Sequence, residues 1–125
     1  MQQSIEVTSN LPLKLIYSNA DCLTNKRSEL NAFLNSLTYK PDLIVITEIN
    51  SKTLTNKMQE CEFNLDGYVL YSKNIGKTHF RGVLIYCSDF LQSCEVELSS
   101  NFDEFLLIRI KQKDNCANLF IGKLL

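Results

Sequence analysis

Polar and apolar positions alternate along the chain in short segments, which predicts several strands and one clear helix. Residues 1–12 are mostly polar and end at a proline, so we expect a flexible N-terminal tail there. Residues 13–19 follow as a first strand, because apolar side chains recur at every second position. This period of two places Asn19 on the same face as the apolar residues Leu13, Leu15 and Tyr17.

A helix and a second strand come next in the pattern. Asn25 is a suitable N-cap for a helix beginning near Lys26, and one apolar stripe follows at helical spacing: Leu30, Phe33, Leu34 and Leu37. Pro41 ends that connection, and residues 42–49 form a strand whose apolar positions are continuous. Both faces of this strand should therefore be covered. A strand, a helix and a strand over this length predict a right-handed crossover within one sheet.

The second half of the chain predicts short strands between polar turns, and residues 51–61 before it are a short helix or a loop. The candidate strands are residues 68–71, 82–87, 94–98, 106–111 and 118–121. Apolar and polar positions alternate clearly in the third and fourth of these. The predicted fold class is α+β, with much antiparallel strand.

Composition narrows the class of protein. The 125 residues suit one domain or a large part of one, and the net charge of -1 lacks the basic surplus typical of nucleic-acid binders. Apolar runs are too short for a membrane span, and the N-terminus does not resemble a secretory signal. Five cysteines without CxxC spacing and a single histidine do not suggest a zinc site, so we expect reduced thiols in an intracellular protein that is not secreted.

Two polar residues stand at the carboxyl ends of the two most buried candidate strands, where open α/β sheets bind ligands. Glu48 follows the apolar run 43–46, and Asn19 ends the first strand. A carboxylate there suits Mg²⁺, which takes few protein ligands, and an amide could orient that carboxylate or contact a phosphate. Solvated strand ends without chemistry are the alternative interpretation, and spacing alone leaves both open.

A family resemblance is carried by three segments. Residues 17–26, Tyr-Ser-Asn-Ala-Asp-Cys-Leu-Thr-Asn-Lys, resemble the opening of the endonuclease/exonuclease/phosphatase superfamily, most closely the apurinic-type endonuclease domain of non-LTR (LINE-like) retrotransposons. Residues 40–48, Lys-Pro-Asp-Leu-Ile-Val-Ile-Thr-Glu, are similar to its second motif. Residues 66–68, Asp-Gly-Tyr, followed by residues 81–86, Arg-Gly-Val-Leu-Ile-Tyr, resemble its next hairpin, with Arg-Gly-Val where the family often has Gly-Gly-Val. Together the likeness covers residues 13–122.

The resemblance implies that residues 13–125 are the N-terminal part of a four-layer α/β sandwich, two mixed sheets flanked by helices. It implies that Glu48 binds the catalytic Mg²⁺ or Mn²⁺, and that Asn19 belongs to the active-site floor. The reaction would be hydrolysis of a phosphodiester in DNA. The family's later Gly-Asp-x-Asn and Ser-Asp-His motifs do not occur in this sequence, and the chain ends directly after an apolar strand. We therefore expect a truncated domain, inactive or nearly so without its C-terminal half.

One basic segment is a further candidate for DNA contact: Lys73, Lys77, His79 and Arg81. A solvated turn is the alternative there. Two other functions also stay open, because the early motifs do not separate them. One is a phosphatase of the same superfamily, and the other is a non-catalytic α/β interaction fragment. A DNA endonuclease of a retrotransposon would act in the nucleus; no pattern in the chain indicates an oligomeric state.

Overall fold

The computed structural model describes residues 2–9, 13–19, 26–48, 63–73, 82–97, 105–112 and 115–124. These residues form one helix and eight strands. In chain order the elements are β1 Gln2–Ser9, β2 Leu15–Asn19, α1 Lys26–Asn35, β3 Leu43–Thr47, β4 Tyr68–Lys73, β5 Val83–Ser88, β6 Gln92–Glu95, β7 Phe105–Gln112 and β8 Asn115–Leu124. The α+β class expected from the sequence is confirmed.

Four strands form a mixed sheet in the order β2-β3-β5-β4. The strands β2 and β3 run parallel, from Leu15 opposite Leu43 to Asn19 opposite Thr47, with α1 in the connection between them. The other two pairings of this sheet are antiparallel. The predicted strand–helix–strand unit is therefore present, and it aligns the carboxyl ends of β2 and β3.

The remaining strands form an antiparallel sheet in the order β1-β8-β7-β6. The strand β1 pairs with β8 along its whole length, from Gln2 opposite Leu124 to Ser9 opposite Ala117. The flexible tail expected over residues 1–12 is thus wrong for residues 2–9. Local polarity did not reveal this strand, because its backbone partner lies more than a hundred positions away in the chain and is itself ten residues long. The strand predicted at 118–121 is correspondingly longer, Asn115–Leu124.

The core lies between the two sheets. The mixed sheet contributes Leu43, Val45, Val83, Ile85 and Cys87, and the antiparallel sheet contributes Leu106, Ile108, Ile110 and Leu119. All these side chains are buried. In β7 the intervening positions are only partly buried or exposed, so the alternation predicted for residues 106–111 is confirmed.

The helix α1 covers the opposite face of the mixed sheet. Phe33 and Leu34 pack against a second buried cluster, Ile44, Ile46, Phe63, Leu84 and Tyr86. Every residue of β3 and β5 is buried, which confirms the expectation that the strand after Pro41 is covered on both faces. The described residues therefore form three layers, a helix, the mixed sheet and the antiparallel sheet. The N-cap Asn25 and the segment 51–61 lie outside the described residues.

In the part of the chain that the structure describes, no helix is long and apolar enough to cross a membrane.

Candidate functional site

Asn19 and Glu48 meet at the carboxyl ends of the two parallel strands. Asn19 is the last residue of β2, and Glu48 directly follows β3. The side-chain nitrogen Nδ2 of Asn19 donates a hydrogen bond of 2.6 Å to Oε2 of Glu48. The amide is exposed and the glutamate half-buried, so the pair lies at an accessible rim of the sheet. The structure thus brings together the two side chains that the sequence singled out.

This pairing depends on the backbone of Glu48. Asn19 lies opposite Thr47 and shares the face of Val45, whereas strict alternation would place Glu48 on the other face with Ile46. Glu48 instead has a φ of 55°, in the left-handed region. With this backbone conformation, the alternation of side chains between the two faces of β3 stops at Glu48. The carboxylate can therefore reach Asn19. For a residue with a Cβ the left-handed conformation costs about 1–2 kcal/mol, and such strain concentrates at functional sites.

A second side-chain bond joins the same two strands one step earlier. The hydroxyl of Tyr17 and Oγ1 of Thr47 share a hydrogen bond of 2.8 Å. Thr47 is fully buried, whereas Tyr17 is 46% exposed. Sequence reasoning missed this contact because it counted Tyr17 only as an apolar position. The available signal was a threonine at the end of an otherwise apolar strand, since a buried hydroxyl needs a partner.

The basic segment leaves the mixed sheet at the same end as the amide–carboxylate pair. Lys73 ends β4 opposite Val83, which in turn lies opposite Thr47. Because neighbouring strands lie about 4.8 Å apart, the Cα atoms of Lys73 and Thr47 are separated by about 10 Å. Lys73 is therefore on the row of residues that includes Asn19. The other basic candidates, Lys77, His79 and Arg81, lie outside the described residues.

The donor set of the rim suits a hard cation that keeps most of its waters. The described residues contain no group of three or more His, Cys, Asp or Glu side chains that could hold a metal ion. Glu48 supplies one carboxylate, and Asn19 engages its Oε2 atom. Mg²⁺ is bound in phosphoryl-transfer sites by one or two carboxylates together with water and substrate oxygens. The carboxylate of Glu48 is the type of ligand that such Mg²⁺ sites use.

Of the cysteines whose side chains the structure describes, neither lies in β2 or β3, the strands that position Asn19 and Glu48. Cys87 is a free thiol in β5, buried and opposite Leu43 at the far end of the strand from Thr47. Burial raises the pKa of the Cys87 thiol, which disfavours the thiolate that a nucleophile requires. Cys94 is free and exposed in β6, in the other sheet. Both cysteines are consistent with the expected reduced thiols.

A separate cleft of about 440 Å³ opens at the opposite end of β3. Its walls come from the end of the helical segment and from the turn before β4: Leu34, Leu37, Thr38, Tyr39, Lys40, Pro41, Ile44, Leu65, Asp66 and Tyr68. The ammonium of Lys40 lies 5.0 Å from the Tyr68 ring centre and 5.3 Å from that of Phe90. The hydroxyl of Tyr68 donates to the carbonyl of Pro41. These contacts join the residues just before β3 to Tyr68, the first residue of β4. They lie at the opposite end of β3 from Glu48.

Fold and site together define an α+β protein that carries an amide–carboxylate pair on a mixed sheet. No protein-family model matches this chain, and no curated protein matches it significantly. The family resemblance therefore depends on the order and spacing of the motifs around Asn19, Glu48 and Gly82.

Proposed function

We propose that this chain is the N-terminal part of a magnesium-dependent DNA endonuclease domain of the endonuclease/exonuclease/phosphatase superfamily, of the kind found in non-LTR retrotransposons. The observation that carries the proposal is the 2.6 Å hydrogen bond between Asn19 and Glu48. It joins the two residues that the motif resemblance assigns to one active site. The helix and two sheets would be three layers of the family's four-layer sandwich.

Each residue of the pair has a distinct role in this proposal. Glu48 would hold the cation through its carboxylate, and Asn19 would keep that carboxylate at a fixed angle by donating to Oε2. A bound Mg²⁺ supplies charge neutralisation for the phosphate and a more acidic water. The left-handed backbone of Glu48 supports this assignment, because strained non-glycine residues are concentrated at active and ligand-binding sites.

The row that ends in Lys73 supports a polyanionic substrate. A DNA strand that places one phosphate at Glu48 would extend its neighbouring phosphates along the end of the sheet. The β4–β5 connection leaves the sheet at this end, and it contains Lys77, His79 and Arg81 in the sequence. Lysine and arginine side chains position DNA through its phosphates. The proposal includes a nuclear place of action for the parent enzyme, where its DNA substrate lies.

Metal binding is the first test, because it does not require the later family motifs. Mn²⁺ is titrated into the chain and followed by electron paramagnetic resonance of the free ion. We expect one weak site that is lost in Glu48→Gln, which keeps the shape of the side chain and removes its charge. Glu95→Gln, at an exposed position in β6, is the matched control and should bind as the wild type does. Failure of the wild type to bind at millimolar Mn²⁺ would sink the proposal and favour a non-catalytic interaction fragment.

Activity assays then separate nuclease from phosphatase. The Gly-Asp-x-Asn and Ser-Asp-His motifs do not occur in this sequence, so we expect little or no plasmid nicking by the chain alone. Robust Mg²⁺-dependent nicking that disappears in Glu48→Ala would contradict this expected inactivity while supporting the site. Hydrolysis of a phosphomonoester in preference to plasmid DNA would favour the phosphatase alternative.

A further inference from the structure

The hydroxyl pair next to the site has a physical rationale in burial. Thr47 is fully buried at the end of β3, and its Oγ1 atom bonds the Tyr17 hydroxyl at 2.8 Å. A buried hydroxyl that loses its hydrogen-bond partner destabilises the fold, because the free energy of its desolvation is no longer offset by a bond. Tyr17 is half-exposed, so phenylalanine would serve its packing about as well, but only tyrosine provides the hydroxyl.

The register of the strands places this bond directly beside the amide–carboxylate pair. Tyr17 lies opposite Val45, and Asn19 lies opposite Thr47. The Tyr17 side chain therefore reaches along the sheet to the residue that immediately precedes Glu48. Tyr17 and Asn19 share one face of β2, since they are two positions apart. Two consecutive side-chain bonds thus cross from β2 to β3 where both strands end.

We propose that Tyr17 is a positioning residue for the Asn19–Glu48 site: through Thr47 it fixes the end of β3 from which Glu48 presents its carboxylate. The bond anchors the last residue in extended conformation before the left-handed turn at Glu48. It also holds the exposed end of β2, which carries Asn19, against the buried strand. This inference rests on the proposed function for its consequence, the affinity for a divalent cation.

The test measures Mn²⁺ affinity in matched variants of the full chain. Tyr17→Phe should weaken binding severalfold, by less than the roughly 10- to 100-fold loss that follows removal of a group bonded directly to a metal ligand, because Tyr17 acts through Thr47. Thr47→Val should weaken it similarly, while Thr47→Ser, which keeps a hydroxyl, should restore most of the affinity. Tyr39→Phe is the control, because Tyr39 is similarly exposed, at 49%, but precedes β3 at the opposite end.

A second readout separates positioning from a general loss of stability. Tyr86→Phe removes a buried hydrogen bond to the Phe63 carbonyl, on the other face of the mixed sheet. It should lower stability and leave Mn²⁺ affinity unchanged under conditions where the chain is folded. If Tyr17→Phe behaves in the same way, with lower stability but wild-type affinity, the positioning role is overturned.

A third readout keeps this inference distinct from the proposed function. The side-chain amide of Asn19 gives its own signals in a ¹H–¹⁵N NMR spectrum, and its bond to Glu48 slows their exchange with solvent. Tyr17→Phe should shift these signals and speed their exchange even without metal, and Tyr39→Phe should not. If the wild-type chain binds no Mn²⁺ but Tyr17→Phe still changes the Asn19 amide signals, the proposed function is refuted and the positioning role is retained. Unchanged amide signals in Tyr17→Phe would overturn the positioning role itself.

Discussion

The left-handed backbone of Glu48 predicts that glycine replaces this residue with less loss of stability than alanine does. Both Glu48→Gly and Glu48→Ala remove the carboxylate and its hydrogen bond to Asn19. They differ at the backbone, because a φ of 55° is open to glycine and strained for any residue with a Cβ. The comparison of the two variants therefore isolates the backbone contribution from that of the side chain.

Two opposing effects set the size of the difference. A left-handed residue with a Cβ costs about 1–2 kcal/mol, which remains in the alanine variant and disappears in the glycine variant. Glycine loses roughly 0.5–1 kcal/mol more conformational entropy than alanine on folding. We therefore expect the glycine variant to be more stable than the alanine variant by about 0–1.5 kcal/mol, with a central value of roughly 0.75 kcal/mol. The alanine variant keeps the strain and loses the bond between Asn19 and a charged acceptor, worth about 1.5–3 kcal/mol, so it should be less stable than the wild type. The glycine variant should also be less stable where that loss exceeds the net relief at its backbone.

Urea unfolding followed by circular dichroism measures the free energy of unfolding for each variant. The same two substitutions at Val69, an exposed residue inside β4, provide the control. In a strand the order should reverse, because glycine is the poorer strand former. If alanine is favoured over glycine at position 48 by the same margin as at position 69, Glu48 does not have a left-handed backbone, and its meeting with Asn19 needs another explanation.

Three further outcomes follow from the core and its ionisable groups. Tyr86→Phe should lower the free energy of unfolding by about 1–2 kcal/mol in urea denaturation, because it leaves the Phe63 carbonyl without its 2.5 Å bond; an unchanged midpoint would contradict that contact. Peptide mapping after brief iodoacetamide treatment should find Cys94 modified well before Cys87, whose thiol is buried with a raised pKa; equal rates would show that β5 is not covered. Burial raises the pKa of the Cys87 thiol and of the Tyr68, Tyr71 and Tyr86 hydroxyls, so the unfolded chain loses these protons first. The free energy of unfolding should therefore fall as the pH rises above about 8.5–9, through the thiol first and through the tyrosines from about pH 10, and a rise over that range would refute the assignment.

The short-range pattern of apolar and polar residues correctly predicted β3 and β7, two strands that contribute side chains to the core. The continuous apolar run of β3 and the alternation in β7 both indicated the correct faces, because a strand in a packed core must match its neighbours position by position. The strand β1 escaped prediction, because backbone pairing with β8 is independent of side-chain polarity. The alternation of Ile5 and Val7 with Glu6 is a strand signal, but it is too short to outweigh the polar residues around it.

The amide–carboxylate pair was predicted for a reason that was only partly correct. Parallel pairing does align the ends of β2 and β3, as the strand–helix–strand pattern implied. A period of two alone would have placed Asn19 and Glu48 on opposite faces, so the contact requires the left-handed turn at Glu48. No residue pattern predicts a positive φ at a glutamate, since glycine and asparagine are the usual residues there.

Asn19 and Glu48 are positioned by strands that differ in burial, and this difference indicates which of the two residues is more easily displaced. Glu48 follows β3, a strand buried on both faces between β2 and β5, whereas Asn19 ends β2 at one edge of the described sheet, where Leu15 is 36% exposed and Tyr17 is 46% exposed. Edge strands with few buried contacts open locally at lower free energy than the core does. Separation of Asn19 from Glu48 by fraying of β2 is therefore the least costly way to disable the site, and it leaves the core between the sheets intact. A side-chain bond from an exposed tyrosine to a buried threonine acts against that motion, since it links the edge strand β2 to β3, whose residues are all buried.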